Sequence, residues 1–515
     1  MSSKKRFAIN SFAQVFAFLV SISITFFLTP YIVGKLGASA YGFVGLASNF
    51  VSYAAIITTA LNSMAGRFIT ISIHQNRIEE ARKYFSSVFF ANIILVSIIS
   101  IISILLLFHL EYILNIPNNL MNDVKMLFGF IFLNFFISII FNVYNVSTFI
   151  VNRLDLSSTR SIISNILKAL SLLGMFWLFS PSLWFVGFAT VISTIYVVLT
   201  NIHFKNTLTP ELIIGKHYFN WHSIKELFFA GIWVAVGRIN KMLSSGFDLL
   251  LANLMIGSVH MGILAITRRL PVLTLTLYER INAVYAPPWT KLYAQGKTEE
   301  LHQNILKSIR FFGLISTIPT AFIFIFGDHF YQLWLPSQDA HLLYILTIAG
   351  CIDLPLAMPL QPIYNIFVIT NKVRANVLFG LGLFSISFVV VLITINLFED
   401  KIIQLIIIAG TSTLFSAMKA MVFLPIYGAR CIKIPTIKLY INTCRSLASF
   451  AILLVPLVLL KQQINYPSWI NFIFCGIATC ILGVGIGYLV IYNSKDRKEL
   501  RVSLQKVIFK IQKKL

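Results

Sequence analysis

The stretch Gln75-Asn76-Arg77-Ile78-Glu79-Glu80 has a counterpart 220 residues later, Gln295-Gly296-Lys297-Thr298-Glu299-Glu300. The same offset aligns residues 37–80 with residues 257–300 without a gap. Within this alignment Gly37 matches Gly257, Gly42 matches Gly262 and Asn62 matches Asn282. Weak internal symmetry of this kind is the sequence trace of a repeated structural unit. The chain is therefore predicted to contain two copies of one unit.

The composition places these copies in a membrane. Of the 515 residues, 57% are hydrophobic and 11% are charged, and the mean hydropathy is +0.83. Soluble domains typically carry about 25% charged residues. So apolar a chain is neither intrinsically disordered nor a disulfide-stapled miniprotein, and its five cysteines have no CxxC or zinc-ligand spacing. We predict an all-α polytopic membrane protein.

Fourteen apolar runs are long enough to be transmembrane helices, which need about 20 residues each. The first run follows Lys4-Lys5-Arg6 and is too long for the apolar core of a cleaved signal peptide. The predicted spans are 8–33, 43–65, 85–108, 126–150, 159–179, 183–204, 226–256, 259–287, 309–326, 342–370, 375–397, 402–425, 446–460 and 469–492.

The distribution of basic residues fixes the predicted orientation. With the N-terminus in the cytoplasm, the inner segments hold 30 Lys and Arg residues, whereas the outer loops hold four. Such an asymmetry is what the positive-inside rule requires. Both termini are therefore predicted to be cytoplasmic. The net charge of +23 then reflects topology and attraction to anionic lipids of the inner leaflet, and it does not indicate nucleic-acid binding.

Six predicted spans separate the two repeat copies, so both copies have the same orientation in the membrane. This is a parallel repeat about an axis along the membrane normal, with a substrate site expected between the halves near the middle of the membrane. The predicted divisions are an N-terminal six-helix lobe (1–204), a cytoplasmic linker (205–225), a C-terminal six-helix lobe (226–425), two additional helices (426–492) and a basic amphipathic tail (493–515).

Several short motifs resemble a known family. Thr29-Pro30-Tyr31-Ile32-Val33 and the following Lys35-Leu36-Gly37-Ala38-Ser39-Ala40-Tyr41-Gly42 resemble the opening of polysaccharide (O-antigen) flippases of the multidrug/oligosaccharidyl-lipid/polysaccharide exporter superfamily. Phe247-Asp248-Leu249-Leu250-Leu251-Ala252, with Gly257, Gly262, Pro287 and Gln295-Gly296 after it, resembles the seventh and eighth helices of that family. The layout of six, six and two spans also fits.

The resemblance implies a transporter of the bacterial inner membrane. Its substrate would be an undecaprenyl-diphosphate-linked oligosaccharide, moved from the cytoplasmic to the outer leaflet by alternating access. A polysaccharide polymerase would be a partner, and the chain is expected to be a monomer. The lipid II flippase branch of the family usually has arginines on its first helix, where this chain has only Asn10 and Gln14. A lipid II substrate is therefore not expected.

Ionisable residues inside the predicted spans mark the candidate site, because charge in a membrane is expensive. Arginine suits a diphosphate, since its planar fork matches phosphate oxygens. The predicted diphosphate clamp consists of Arg238, Lys241, Arg268, Arg269 and Arg280. The predicted charge partners, which would couple an ion to transport, are Asp248 and Glu279. The alternative is that these acids only neutralise neighbouring bases in a packed bundle.

Other intramembrane polar residues carry no assigned role at this stage. Lys168 and Lys419 lie where they can snorkel, and Asp353 precedes three prolines in a span that must be kinked or broken. Asn62 and Asn282 lie at the inner ends of spans 2 and 8, where helix capping is the favoured interpretation.

No catalytic, metal-binding or nucleotide-binding motif accompanies these charges. The nine histidines form no HExxH pattern, and no G-x-x-x-x-G-K-[ST] loop occurs. We therefore predict a flippase that is not an enzyme and has no cofactor or metal. One alternative is a drug or cation antiporter of the same superfamily, which usually has 12 spans and acids in its N-terminal lobe. The other is a membrane enzyme such as an O-antigen polymerase, which needs longer outer loops than these.

Overall fold

The computed structural model describes residues 3–370, 372–464, 467–494, 496–498 and 501. These residues form helices joined by short connections, and there is no strand among them. The predicted all-α class is confirmed. The helices fall into two compact units, Met1–Ile266 and Thr267–Leu515.

The first unit holds nine helices, of which the ninth crosses the boundary by one residue. They are α1 (Ser3–His74), α2 (Ile78–Phe108), α3 (Leu110–Ile113), α4 (Met121–Ile140), α5 (Val146–Ile150), α6 (Leu154–Leu178), α7 (Trp184–Leu208), α8 (Trp221–Met255) and α9 (Ser258–Thr267). Short 3₁₀ segments lie at Asn118–Leu120, Asn142–Asn145 and Lys216–Tyr218.

The second unit holds the remaining helices of the described chain. They are α10 (Arg269–Ala283), α11 (Ala286–Ala294), α12 (Thr298–Trp334), α13 (Ala340–Ala349), α14 (Leu354–Ala357), α15 (Ile363–Ile369), α16 (Val373–Ile395), α17 (Lys401–Met418), α18 (Leu424–Ile432), α19 (Thr436–Gln462) and α20 (Trp469–Val490). A π-helical segment, Lys419–Phe423, joins α17 to α18.

Eleven helical stretches in the described chain are long and apolar enough to cross a membrane. The chain is a polytopic membrane protein, and the count of fourteen spans stays a prediction. Helix α1 covers two predicted spans, because its 72 residues would extend for about 108 Å at 1.5 Å each, far beyond a hydrocarbon core of about 30 Å. Gly37 divides it, with a non-helical φ of 86°. Conversely, predicted span 8 is broken into shorter pieces within α9, α10 and α11.

The backbone repeats at the offset found in the sequence. Gly37 and Gly257 both have positive φ, as do Asn76 and Gly296, at 58° and 68°. Glycine adopts such angles freely, and asparagine tolerates them better than most residues do. These matched positions therefore carry Gly or Asn because the chain makes the same left-handed step in each copy.

Hydrogen bonds around the left-handed step at Asn76 and Gly296 are also repeated. The amide of Asn76 donates to the carbonyl of Ile73 at 2.9 Å, and the amide of Gly296 donates to that of Tyr293 at 3.1 Å. The next helix then begins two residues later in each copy, at Ile78 and at Thr298. The predicted repeat is confirmed as a local backbone repeat.

Helix α8, assigned by sequence to the C-terminal lobe, packs in the first unit. Near the start of α8, the Tyr84 hydroxyl on α2 donates to Glu226 Oε2 at 2.6 Å. Gly231 lies so close to the carbonyl of Ala60 on α1 that a side chain would collide with it. The compact units are thus divided at residue 266, whereas the lobe boundaries at 204 and 226 stay a prediction.

The predicted linker is a structured strap held by α2. Ser86 Oγ donates to the Ile213 carbonyl at 3.1 Å, and Ser87 Oγ donates to the Asn220 carbonyl at 3.2 Å. Arg82 Nε donates to the Glu211 carbonyl at 2.7 Å. Three side chains of one helix thus satisfy carbonyls of an irregular segment that would otherwise need water.

The two additional helices, α19 and α20, pack on α12 in the second unit. Their shared core contains Phe326, Leu453, Leu457 and Cys475, all with at most 1% of their surface exposed. Most of the predicted amphipathic tail lies outside the described residues. Its beginning is docked, because Asp496 Oδ2 lies 2.8 Å from Arg310 Nη1 on α12 and both side chains are only 11% exposed.

Candidate functional site

Two arginines lie at a break between helices. Helix α9 ends at Thr267, Arg268 occupies the turn, and α10 begins at Arg269. Pro271 accounts for the break, because a proline ring clashes with the carbonyl four residues earlier, here that of Thr267. Both arginines are half-buried. The predicted mid-membrane arginines therefore lie at the start of a helix, where the helix dipole is positive.

Glu279 and Arg280 lie on the same helix, nearer its end. Helix α10 is uninterrupted from Arg269 to Ala283, so Arg269 and Arg280 are separated by about 16 Å along it and lie on nearly the same face. Both Glu279 and Arg280 are exposed, in contrast to the half-buried pair at the helix start.

The candidate residues of span 7 lie on α8, in the first unit. Arg238 is exposed, and its Nη1 donates to Thr59 Oγ1 on α1 at 3.3 Å. Asp248 is buried, with 4% of its surface exposed. Lys241 is helical, but its side chain lies outside the described part of the chain. The structure thus brings Arg268, Arg269, Glu279 and Arg280 onto one helical segment, and Arg238 and Asp248 onto another.

Asp353 and Lys419 lie in irregular parts of the second unit. Asp353 lies in the predicted break, which is confirmed by the short helices α13, α14 and α15, and Ser416 Oγ donates to its carboxylate at 2.6 Å. Lys419 opens the π-helical segment, and its Nζ lies 5.6 Å from the centre of the Tyr364 ring. Single π-helical turns occur frequently at functional sites. The serine and tyrosine partners carry no charge, so the charge pattern of the sequence did not reveal them.

Asn62 does not cap a helix, which corrects the sequence interpretation. Helix α1 continues 12 residues past it, to His74. Its amide instead forms a reciprocal pair with that of Asn92 on α2: Asn62 Nδ2 donates to Asn92 Oδ1 at 2.9 Å, and Asn92 Nδ2 donates to Asn62 Oδ1 at 3.1 Å. Asn142 Nδ2, at the break after α4, also donates to Asn62 Oδ1 at 3.1 Å.

The repeat counterpart of Asn62 has an equivalent role. Asn282 Nδ2 donates to the Gln361 carbonyl at 3.0 Å, and Asn365 Nδ2 donates to Asn282 Oδ1 at 3.0 Å. In each copy the matched asparagine therefore holds the broken region of a neighbouring span. Nothing in the sequence signalled the partners, because they are distant along the chain and do not fall at the repeat offset as a set.

The described residues contain no group of three or more His, Cys, Asp or Glu side chains that could hold a metal ion. The candidate residues themselves offer charged groups for ionic binding. Arginines beside a helix start favour an anion, and a buried carboxylate favours a cation or a proton.

Comparison with known proteins shows which folds this chain resembles. No family model matches the chain. The uncharacterized membrane protein EpsK of Bacillus subtilis (strain 168) is 29% identical over 435 residues, which cover 82% of this chain and 83% of that protein.

Solved structures match almost the whole chain. A structure of the lipid II flippase MurJ in an inward closed conformation has a TM-score of 0.62 at 14% identity, and covers 93% of this chain and 99% of that one. A mutant of the Vibrio cholerae MATE transporter VcmN has a TM-score of 0.60 at 15% identity, with 83% and 97% covered. An inward-facing multidrug resistance MATE family transporter of the MOP superfamily has a TM-score of 0.54 at 14% identity, with 92% and 98% covered. The chain has the fold of the MOP superfamily transporters, and the resemblance predicted from its sequence is confirmed.

Proposed function

We propose that this protein is a flippase rather than an enzyme. Its substrate is an undecaprenyl-diphosphate-linked oligosaccharide, the repeat unit of an O-antigen or another surface polysaccharide. The flippase moves this lipid from the cytoplasmic to the outer leaflet of the bacterial inner membrane, through states that open to one leaflet at a time. Both termini are cytoplasmic, and anionic lipids contact the basic inner surface.

The observation that carries this proposal is the pair of half-buried arginines, Arg268 and Arg269, at the break between α9 and α10. Arginine forks and a helix start both favour phosphate oxygens. Arg280, Arg238 and Lys241 complete the proposed diphosphate clamp. A lipid II flippase shares the fold, which fits a lipid-linked substrate. Predicted span 1 offers only the neutral Asn10 and Gln14, and the Asn10 side chain is occupied by Asn152 and by the Asp155 amide, which does not favour lipid II itself.

A drug or cation antiporter is the second candidate, because MATE transporters share the fold. The drug and cation antiporters of this superfamily use acidic residues of the N-terminal lobe. No Asp or Glu is buried among the described residues of the first 204, whereas Asp248 and Asp353 are buried later in the chain. This distribution favours the lipid-linked substrate.

The test replaces Arg268 or Arg269 with Ala and follows export of the surface glycan. We expect each substitution to reduce export at least tenfold, because removal of a charged hydrogen-bonding group from a phosphate site costs about 1.5–3 kcal/mol. The matched control is Arg430→Ala, an exposed arginine in the last turn of α18. Lipid-linked glycan should accumulate on the inner leaflet of the Arg268 and Arg269 variants but not of the control, at equal protein levels.

Normal export by both variants would overturn the diphosphate clamp. If depletion of this protein left the leaflet distribution of lipid-linked glycan unchanged, that result would overturn the flippase assignment itself. Extrusion of a cationic drug by the same cells would then favour the antiporter.

A further inference from the structure

Repeat-related residues meet each other inside the first unit. A methyl group on Gly42 would lie 2.7 Å from the Cα atom of Gly262, its counterpart at the offset of 220. A methyl group on Gly45 would lie 3.7 Å from Cβ of Ala265, which is again its counterpart. A residue touches its own repeat partner only close to the axis that relates the two copies. These small residues let the start of the second part of α1 and helix α9 approach to backbone contact.

The contact is tight on both sides. A side chain on Gly262 would collide with the carbonyl of Ala38 and with the amide of Ser39. The hydroxyl of Ser39 is buried without a hydrogen-bond partner in this region. The glycine contact therefore has no room for a side chain, and the neighbouring Ser39 hydroxyl is buried.

A second connection joins the two predicted lobes, 1–204 and 226–425. Asn115, in the loop after α3, forms four hydrogen bonds with the last turn of α8: it donates three and accepts one. Its amide donates to Asn253 Oδ1 at 2.9 Å, and its Nδ2 donates to the carbonyls of Asn253 at 2.9 Å and Leu254 at 3.2 Å. Asn253 Nδ2 donates back to the Asn115 carbonyl at 3.2 Å. Asn253 is fully buried.

These bonds satisfy carbonyls that the end of a helix leaves without partners. The partner that caps α8 thus comes from a loop 138 residues away in sequence. By the predicted topology, the glycine contact and the Asn115–Asn253 connection both lie on the outer side of the membrane. Both join the predicted N-terminal lobe to spans 7 and 8 of the predicted C-terminal lobe.

We propose that the glycine contact and the Asn115–Asn253 connection together form an outer clasp, which holds the outer face closed and opens once in each transport cycle. This proposal rests on the proposed function, because only a transporter that alternates between leaflets needs an outer face that opens. The clasp is suited to repeated opening. Its glycine contact is tight but small, and its asparagine hydrogen bonds are neutral and can be exchanged for hydrogen bonds to water.

The first test locks the clasp. Asn115→Cys together with Asn253→Cys places two thiols at the connection, and the five native cysteines all lie after residue 350, so the new disulfide is identified by peptide mass spectrometry. Oxidation should stop glycan export, and reduction should restore it. The matched control is Ser164→Cys with Ser193→Cys, whose hydroxyls lie 3.2 Å apart within the predicted N-terminal lobe. The oxidised control should still export.

The second test needs no substrate. A thiol at Ser39→Cys should react slowly with a membrane-impermeant maleimide added from outside, because the Ser39 hydroxyl is buried. Adding Asn115→Ala should raise this rate several-fold, whereas adding Asn118→Ala, an exposed neighbour without a side-chain hydrogen bond, should not. The chain without Ser39→Cys gives the background from native cysteines.

Export by the oxidised Asn115–Asn253 pair at the normal rate would overturn the clasp, as would a labelling rate that Asn115→Ala leaves unchanged. If Asn115→Ala speeds labelling but the protein moves no glycan, the result supports the outer clasp and contradicts the proposed substrate. The two proposals therefore fail separately.

Discussion

Asparagine side chains, rather than charges, hold much of the described polar structure together. The sequence drew attention to Arg268, Arg269 and Glu279 because charge in an apolar chain is conspicuous. The pairing of Asn62 with Asn92 was not predictable, since a neutral amide is common at helix ends and gives no sign of its partner. Of the two amides, only Asn62 has a matching asparagine, Asn282, at the repeat offset.

The amide pair should show strong coupling. Asn92 is fully buried, so Asn62→Leu leaves its Oδ1 without the Asn62 donor, although its Nδ2 still donates to the Ile139 carbonyl. An unsatisfied buried acceptor of this kind costs about 1–3 kcal/mol. The double variant Asn62→Leu/Asn92→Leu should cost less than the sum of the single variants, with a coupling energy of about 0.5–3 kcal/mol. The free energy of unfolding in detergent measures this. Additive costs would show that the two amides do not act as a pair.

At the scale of elements, prolines have opposite consequences in two helices. Pro271 lies in the first turn of α10 and marks the break that positions the arginine pair. Pro319 lies inside α12, which runs without a break from Thr298 to Trp334. The sequence could not distinguish the two, because the same residue is tolerated at a helix start and is costly in a helix interior.

This difference predicts two outcomes for one kind of change. Pro319→Ala should raise the melting temperature and leave export intact, because it restores a helix-interior hydrogen bond. Pro271→Ala should reduce export without lowering stability, because it lets the helix continue through Arg268 and turns the arginine pair. Export assays and thermal melts of both variants provide the measurement. Equal export by the two variants would show that the break does not matter for transport.

The pair of Arg310 and Asp496 predicts a stability effect at the junction of α12 and the tail. Asp496→Leu leaves a buried guanidinium without its partner, a change that typically costs about 3–5 kcal/mol. The double variant Arg310→Met/Asp496→Leu removes both charges and should recover most of that loss. Thermal unfolding of the purified variants tests this, and a double variant as unstable as the single one would contradict the ion-pair explanation.

At the scale of the whole molecule, apolar run lengths and loop charges predicted the class of fold, and the internal repeat predicted matched backbone steps. The limits had physical causes. Run length cannot show that span 8 is divided among three helices, because each piece is apolar enough to join its neighbour. Packing also cannot be deduced from the repeat: α8 lies in the same compact unit as α1 to α7, and the lobe boundaries stay a prediction.

The coupling of transport to an ion is also a property of the whole molecule. Without a nucleotide-binding motif, the states must be shifted by differential binding of substrate or ion. We expect an imposed proton or sodium gradient to accelerate flipping in proteoliposomes by the wild type, and Glu279→Gln to lose that acceleration while basal flipping remains. Asp339→Asn, which alters a carboxylate that caps α13, serves as the control. Equal flipping with and without a gradient would remove ion coupling and leave the flippase proposal intact.

The contact between Gly42 and Gly262 has a consequence for the origin of the chain. Two identical six-helix chains, each with one glycine at this position, could form the same contact as a symmetric homodimer. In such a dimer any substitution would appear on both sides of the axis at once, so a larger residue would be penalised twice. Fusion of the two genes would release that constraint, because each copy could then vary alone. The arginines Arg269 and Arg280 of α10 correspond to the uncharged Asn49 and Ala60 at the matching positions of the first copy, an asymmetry that only a fused chain can acquire.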